Sequence, residues 1–130
     1  MSATQGKIAA PVPNVETQAY WDGANAGKLL LKKCRSCGQH HFYPRALCPF
    51  CYGETDWVEA KGTGEIYSFS VMRRAQVPYA IAWVSLAEGP AIMTNIVNCD
   101  FDKIRIGQRV KVTFVPAENG QRVQMFEPAD

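Results

Sequence analysis

Residues 32–53 read KKCRSCGQHHFYPRALCPFCYG, and four of them, Cys34, Cys37, Cys48 and Cys51, fall in the spacing C-x2-C-x10-C-x2-C. Two C-x2-C pairs at this separation describe two tight turns closing on one tetrahedral ion. Each turn brings two thiolate sulfurs to about 2.3 Å from it. Gly38 follows the first pair, Pro49 lies inside the second and Gly53 follows it, all residue types suited to sharp bends. The ten residues between the pairs leave room for a short ribbon out and back. Four protein ligands complete a tetrahedron, so the site predicted is closed and structural, with no position left for water or substrate. A segment this small does not fold on apolar burial alone, and the ion supplies roughly 10–16 kcal/mol.

Zn2+ is the expected ion. Iron is the rival, because C-x2-C-G and C-P-x-C also suit rubredoxin-like knuckles, and a red colour would decide for it. The chain around this stretch has 130 residues, 47% hydrophobic and 20% charged, with 10 glycines and 8 prolines. That length is one domain, or one domain with an appendage, and excludes a two-domain enzyme with a cleft between its halves. The composition excludes disorder, collagen-like repeats and a coiled coil. The longest apolar run, residues 79–84, has strand length and falls far short of the roughly 18 residues of a membrane helix. Residues 1–14 lack an apolar secretory segment, so a mobile tail over 1–13 and a cytoplasmic location are expected. There, metal binding is favoured over disulfides. The formal charge of +2 treats cysteines as neutral. A tetrathiolate around a divalent ion carries −2 and brings the net to zero, which argues against a strongly basic nucleic-acid binder.

The fifth cysteine, Cys99, reads as a small buried hydrophobe. A nucleophile would need a base, and the two imidazoles, His40 and His41, lie inside the ribbon, where they read as surface residues. The sequence offers no paired carboxylates beside an imidazole and no phosphate-cradling glycine loop, so no catalytic residue is assigned.

Upstream, Asn14 caps a helix expected from Val15 to about Ala26, with Gly27 as its stop, in the segment 14–27. Tyr20 and Trp21 either pack on the chain's own core or meet a partner. Residues 28–33 read as a strand entering the first knuckle of a ribbon over 28–54. Residues 28–53 contain Lys28, Lys32, Lys33, Arg35 and Arg45 and no acid. They form either a basic face balancing the thiolates or a landing site for phosphates. Downstream the pattern takes period two. Residues 55–61 and 65–74 flank Gly62-Thr63-Gly64, read as a bend or bulge within one long strand, with Tyr67, Phe69 and Val71 on one face. Strands at 79–87 and 91–99 follow around the turn Glu88-Gly89-Pro90, then an irregular stretch at 100–107 and a strand at 110–114. Asn119-Gly120 leads as a hairpin turn into a last strand at 121–126. Five strands with a connection after the third fit an OB barrel over 55–130 best, with an SH3-like barrel as the alternative. The ribbon–barrel boundary falls between 54 and 64. The fold class is mainly β: an N-terminal helix, a four-cysteine zinc ribbon and a five-stranded OB-fold barrel. Tyr67, Phe69, Tyr79 and Trp83 either fill the barrel or stack bases, the latter belonging to the alternative function of single-stranded nucleic-acid binding.

The combination resembles a family of small proteins, long catalogued as a domain of unknown function, that join a rubredoxin-like zinc ribbon to an OB-fold and associate with thiolases. The matching residues are Tyr20-Trp21-x-Gly23, Gly27-x-Leu29, Cys34-x-x-Cys37-Gly38, Pro44-Arg45, Cys48-Pro49-x-Cys51 and Gly62-x-Gly64, across about residues 15–116. The resemblance implies a non-catalytic subunit that docks on a thiolase-fold protein in a hetero-oligomer. The subunit would help form or bridge the partner's acyl-coenzyme A site. Partners in the family include thiolases of isoprenoid-precursor synthesis and aromatic degradation, and aldolases of steroid side-chain breakdown. Within that expectation, Lys32, Lys33, Arg45, Arg73 and Arg74 are candidates to meet the phosphates of the coenzyme A thioester, which suit cations of this kind. Arg73 and Arg74 read equally as solvated loop charges. Tyr20 and Trp21 are candidates for the partner interface.

Overall fold

The computed structural model describes residues 8–129. Asn14 opens the regular structure. Its Oδ1 accepts from the Thr17 backbone N–H and its own N–H donates to Thr17 Oγ1, both at 3.0 Å, a reciprocal cap. Residues 15–17 form a turn, and the regular helix α1 is shorter than expected, Gln18–Asn25. Gly27 ends it at φ +81°, with Lys28 N–H on the Gly23 carbonyl (2.8 Å) and Gly27 N–H on that of Ala24 (3.0 Å). This is a Schellman stop, and glycine is there for the left-handed backbone. Of the expected tail, residues 1–7 lie outside the described residues. Residues 8–13 have no regular structure, and the Ile8 carbonyl accepts from Glu118 N–H at 3.0 Å.

Three strands make a small antiparallel sheet in the order β2-β1-β3: β1 (Leu30–Cys34), β2 (His40–His41) and β3 (Thr55–Glu59). The register runs from Leu30 opposite Glu59 to Cys34 opposite Thr55. β3 was expected to continue into the first barrel strand; it belongs instead to the ribbon's sheet. Gly62, at φ +78°, breaks the run, and a Cβ there would stand 2.5 Å from Val112 Cγ1.

The remaining strands are β4 (Thr63–Met72), β5 (Tyr79–Leu86), β6 (Ala91–Ile96), β7 (Arg109–Pro116) and β8 (Arg122–Pro128), closed into a barrel in the order β4-β5-β6-β8-β7. β4 closes on β7 from Thr63 opposite Lys111, and β6 meets β8 in parallel at Ile96 and Phe126. A 3-10 turn, Phe101–Lys103, lies between the third and fourth barrel strands, with Asp100 Oδ1 accepting from Asp102 N–H at 2.9 Å. This is the OB arrangement, and the SH3-like alternative falls. A bulge between Ile66 and Ser68 breaks the expected face-sharing on β4. Tyr67 is thrown outward, 69% exposed, while Phe69 and Val71 pair with the buried Ala82 and Ala80. Nor do Tyr79 and Trp83 fill the barrel. They alternate with buried Ala80, Ala82 and Val84 and stand on its outer surface.

One core serves both parts. Tyr20 of α1 and Leu29 and Leu31 beside and on β1 join Ile66, Val84, Ile92, Ile96, Val110 and Phe126 of the barrel in a single buried cluster. The helix is tied to the β7–β8 turn by a reciprocal amide pair, Asn25 Nδ2 to Gln121 Oε1 (3.2 Å) and Gln121 Nε2 to Asn25 Oδ1 (3.0 Å), and by Arg122 N–H on Asn25 Oδ1 (3.0 Å).

Candidate metal centre

The two C-x2-C turns fold alike because the same backbone bonds close each. In the first, Gly38 N–H reaches the Cys34 carbonyl (3.1 Å) and Cys34 N–H reaches that of Gln39 (3.0 Å). In the second, Tyr52 N–H reaches the Cys48 carbonyl (2.8 Å) and Cys48 N–H reaches that of Gly53 (2.9 Å). Aligned this way, Gly38 and Tyr52 occupy the same position, and both are left-handed, at φ +74° and +63°. The sequence pointed to Gly53 as the bending residue. Gly53 is glycine for a different reason: a Cβ there would stand 2.9 Å from both Cys34 Sγ and Ser36 Oγ.

The four sulfurs all lie within 4.8 Å of one another. Cys34 Sγ is 3.5 Å from Cys51 Sγ, and Cys37 Sγ is 3.7 Å from Cys48 Sγ. A tetrahedron with metal–sulfur bonds of about 2.3 Å has edges of about 3.8 Å, so the cluster has the size of a tetrathiolate cage. Backbone donors already face the sulfurs. Ser36 and Cys37 N–H lie 3.3 Å from Cys34 Sγ, and Phe50 N–H lies 3.4 Å from Cys48 Sγ. The Cys37 N–H does most to bring the Cys34 thiol down to about 6, against the opposing effect of burial. Such bonds stabilise thiolate, the form that binds metal. Cys34 and Cys48 are buried, Cys37 and Cys51 exposed, so the cage is anchored on one side and open to ion entry on the other. The donor set and its size fit structural zinc.

The loop between the pairs is held from outside. Glu16 accepts from Ala46 N–H at 2.8 Å and lies 3.8 Å from the Arg45 guanidinium, and Thr55 Oγ1 donates to the Arg45 and Ala46 carbonyls. Within the ribbon His41, expected at the surface, is 4% exposed. It sits on β2 opposite Lys32, which is opposite Trp57 on β3, in one cross-strand row. Neither ring nitrogen completes a hydrogen bond. Burial pushes the imidazole pKa down, the Arg45 carbonyl opposes this, and the charges of Lys32 and Arg45 push it further down.

The five cations expected at phosphates divide between two regions. Lys32, Lys33 and Arg45 belong to the ribbon, and Arg73 and Arg74 follow β4. Lys32 is 9% exposed, with Nζ 4.3 Å from the Trp57 ring centre, and burial lowers its pKa. Arg73 donates to Asp102 at 2.7 Å. Of the two aromatics expected at an interface, Tyr20 lies in the core at 3% exposure, its ring edge-on to the half-buried Trp21 at 5.0 Å. Cys99 packs against the core with its thiol 3.7 Å from the Ile96 carbonyl, and burial pushes its pKa up. A groove of about 470 Å³ separates the ribbon from the β5–β6 turn, lined by His40, His41, Phe50 and Glu88 among others. Glu88 also accepts from Lys61 N–H at 2.8 Å. No helix among the described residues is long and apolar enough to cross a membrane.

Comparison with known proteins follows the same division. Residues 21–58 match the model of the ChsH2 rubredoxin-like zinc ribbon domain, and residues 57–115 match that of the ChsH2 C-terminal OB-fold domain. The chain is 33% identical over 126 residues to a probable enoyl-CoA hydratase alpha subunit of Thermomonospora curvata, covering 92% of this chain and 39% of that protein. It therefore spans about two fifths of that relative's length. It is 37% identical over 94 residues to a DUF35 domain-containing scaffold protein of Methanocaldococcus jannaschii, covering 66% of this chain and 67% of the relative. Among solved structures, a chain of the Ltp2-ChsH2(DUF35) aldolase superposes with a TM-score of 0.82 at 31% identity, over 93% of this chain and all of that one.

Proposed function

This chain belongs to the ChsH2 (DUF35) family of zinc ribbons joined to OB-fold barrels, and from that premise we propose that it is a non-catalytic subunit of a thiolase-type enzyme acting on acyl-coenzyme A. In this reading it docks on the catalytic protein and helps form or bridge the acyl-coenzyme A site. The observation that carries the reading is the end-to-end likeness to a chain of the Ltp2-ChsH2(DUF35) aldolase, whose name joins two proteins. The names of the relatives, an alpha subunit and a scaffold protein, support it. So does the placement of the cysteines. Four are committed to the metal cage, and Cys99 has a raised pKa and a carbonyl rather than a base for its neighbour. The chemistry then belongs to the partner's residues, and the cytoplasm, where thiolate ligands stay reduced, is the compartment this reading assigns.

Purification of the tagged chain from its source, with size-exclusion chromatography and mass spectrometry, tests this directly. A co-eluting thiolase-fold protein is the expected result. Recovery of the chain alone, or with nucleic acid, would sink the reading. Within it, Lys33, Arg45, Arg73 and Arg74 serve the coenzyme A phosphates, and Lys32, folded under Trp57, is the least available. Replacing both Arg73 and Arg74 by Glu raises the complex's KM for acyl-coenzyme A. An unchanged KM removes the pair from the site.

A further inference from the structure

The outer face of β4, β5 and β6 carries large apolar side chains that nothing among the described residues covers. Cross-strand rows place Met72 beside Tyr79 and Trp83 beside Met93, with Ile81 between the two rows. Exposures are 42% for Met72, 41% for Tyr79, 43% for Trp83 and 49% for Met93, and the bulge adds Tyr67 at 69%. Taking about 200 Å² for each of these large side chains, the five leave roughly 500 Å² of surface in water. That is at the upper end of what a monomer exposes in one patch, and about three fifths of one side of a standard protein interface. β5 and β6 are the second and third strands of the barrel, the face on which OB folds hold their ligands.

Charge identifies the occupant. The outward positions of the three strands include no lysine or arginine and one acid, Glu65. A polyanion needs cations to replace its counterions, and this face has none to offer. Aromatic residues and methionine without charge are the composition of the centre of a protein–protein interface. We propose that this face docks the chain on its catalytic protein partner, with Trp83 as the central anchor. This rests on the functional reading above.

The test uses the full zinc-loaded chain and the thiolase-fold protein recovered with it, and affinity is measured by calorimetry. Trp83→Ala weakens the complex at least thirtyfold and Met93→Glu at least tenfold, while Lys111→Ala, exposed on β7 outside this face, stays within threefold. Zinc content and melting temperature of each variant confirm that it is folded. Wild-type affinity in both face variants would overturn the assignment and leave the functional reading standing. Recovery of no thiolase-fold protein would overturn both. Two further measurements also count against the proposal: tight binding of a mixed single-stranded oligonucleotide that Trp83→Ala abolishes, and a wild-type homodimer in sedimentation that Trp83→Ala dissociates.

Discussion

Gly53 and Tyr52 are neighbours with opposite tolerances. A methyl group at Gly53 meets the Cys34 sulfur and Ser36 hydroxyl at 2.9 Å, so Gly53→Ala pushes a ligand out of place. Its zinc affinity, read by competition with a chromogenic chelator, falls at least tenfold. Tyr52 is 80% exposed at φ +63°, a conformation glycine adopts without strain, so Tyr52→Gly keeps its zinc and loses at most a few tenths of a kcal/mol in stability. The reverse order of sensitivity would mean that the two turns do not close alike. Elemental analysis should find one zinc per chain, and Cys34→Ser or strong chelation should melt the ribbon. The four-cysteine cluster was legible because cysteines at that spacing have few other uses. The role of Tyr52 was not, because its backbone is set by the bond from its N–H to the Cys48 carbonyl, which residue type does not announce.

At the scale of elements, β2 holds an imidazole with a titration to read. Burial keeps the His41 pKa in the folded chain below its ordinary value of 6.5. The unfolded chain then binds more protons in mild acid. The stability His41 allows is full above the unfolded pKa and is lost as the pH falls through the folded one. With zinc saturating, the wild-type urea midpoint should fall between about pH 7 and about pH 5.5, and that of His41→Leu should fall less. Equal slopes would assign the loss to the cysteines alone. The burial of His41 was hidden from the sequence because a two-residue strand has no periodicity to read. The same limit applied to β3. Alternation announces a strand but not its neighbour, and the pairing of Thr55–Glu59 with β1 depends on residues far away in the chain. The bulge at Tyr67 reversed a face assignment for the same reason. The five barrel strands themselves were legible, each bounded by its own turn residues.

The molecule as a whole should unfold as one unit, because Tyr20 and Leu31 bury themselves in the same cluster as Phe126. Leu31→Ala should cost about 2–5 kcal/mol, and release of zinc and exposure of the tryptophans should share one denaturation midpoint. Two separated midpoints would mean that ribbon and barrel are independent. The overall architecture was legible from the cysteines, the turn residues and the family's motifs together. The union of the two parts was not, since Leu29 and Leu31 read only as strand residues. That union has a consequence for synthesis on the ribosome. The cysteine cage is complete once Gly53 has emerged, yet Tyr20 and Leu31 wait for Phe126, and Asn25 waits for Gln121. At about 5–20 residues per second, the nascent chain carries a finished, metal-loaded knot with its apolar underside bare for several seconds. Early capture of a metal would therefore guard the cysteines against oxidation but not the apolar residues against aggregation, and the last strand to be made is one of those that complete the shared cluster.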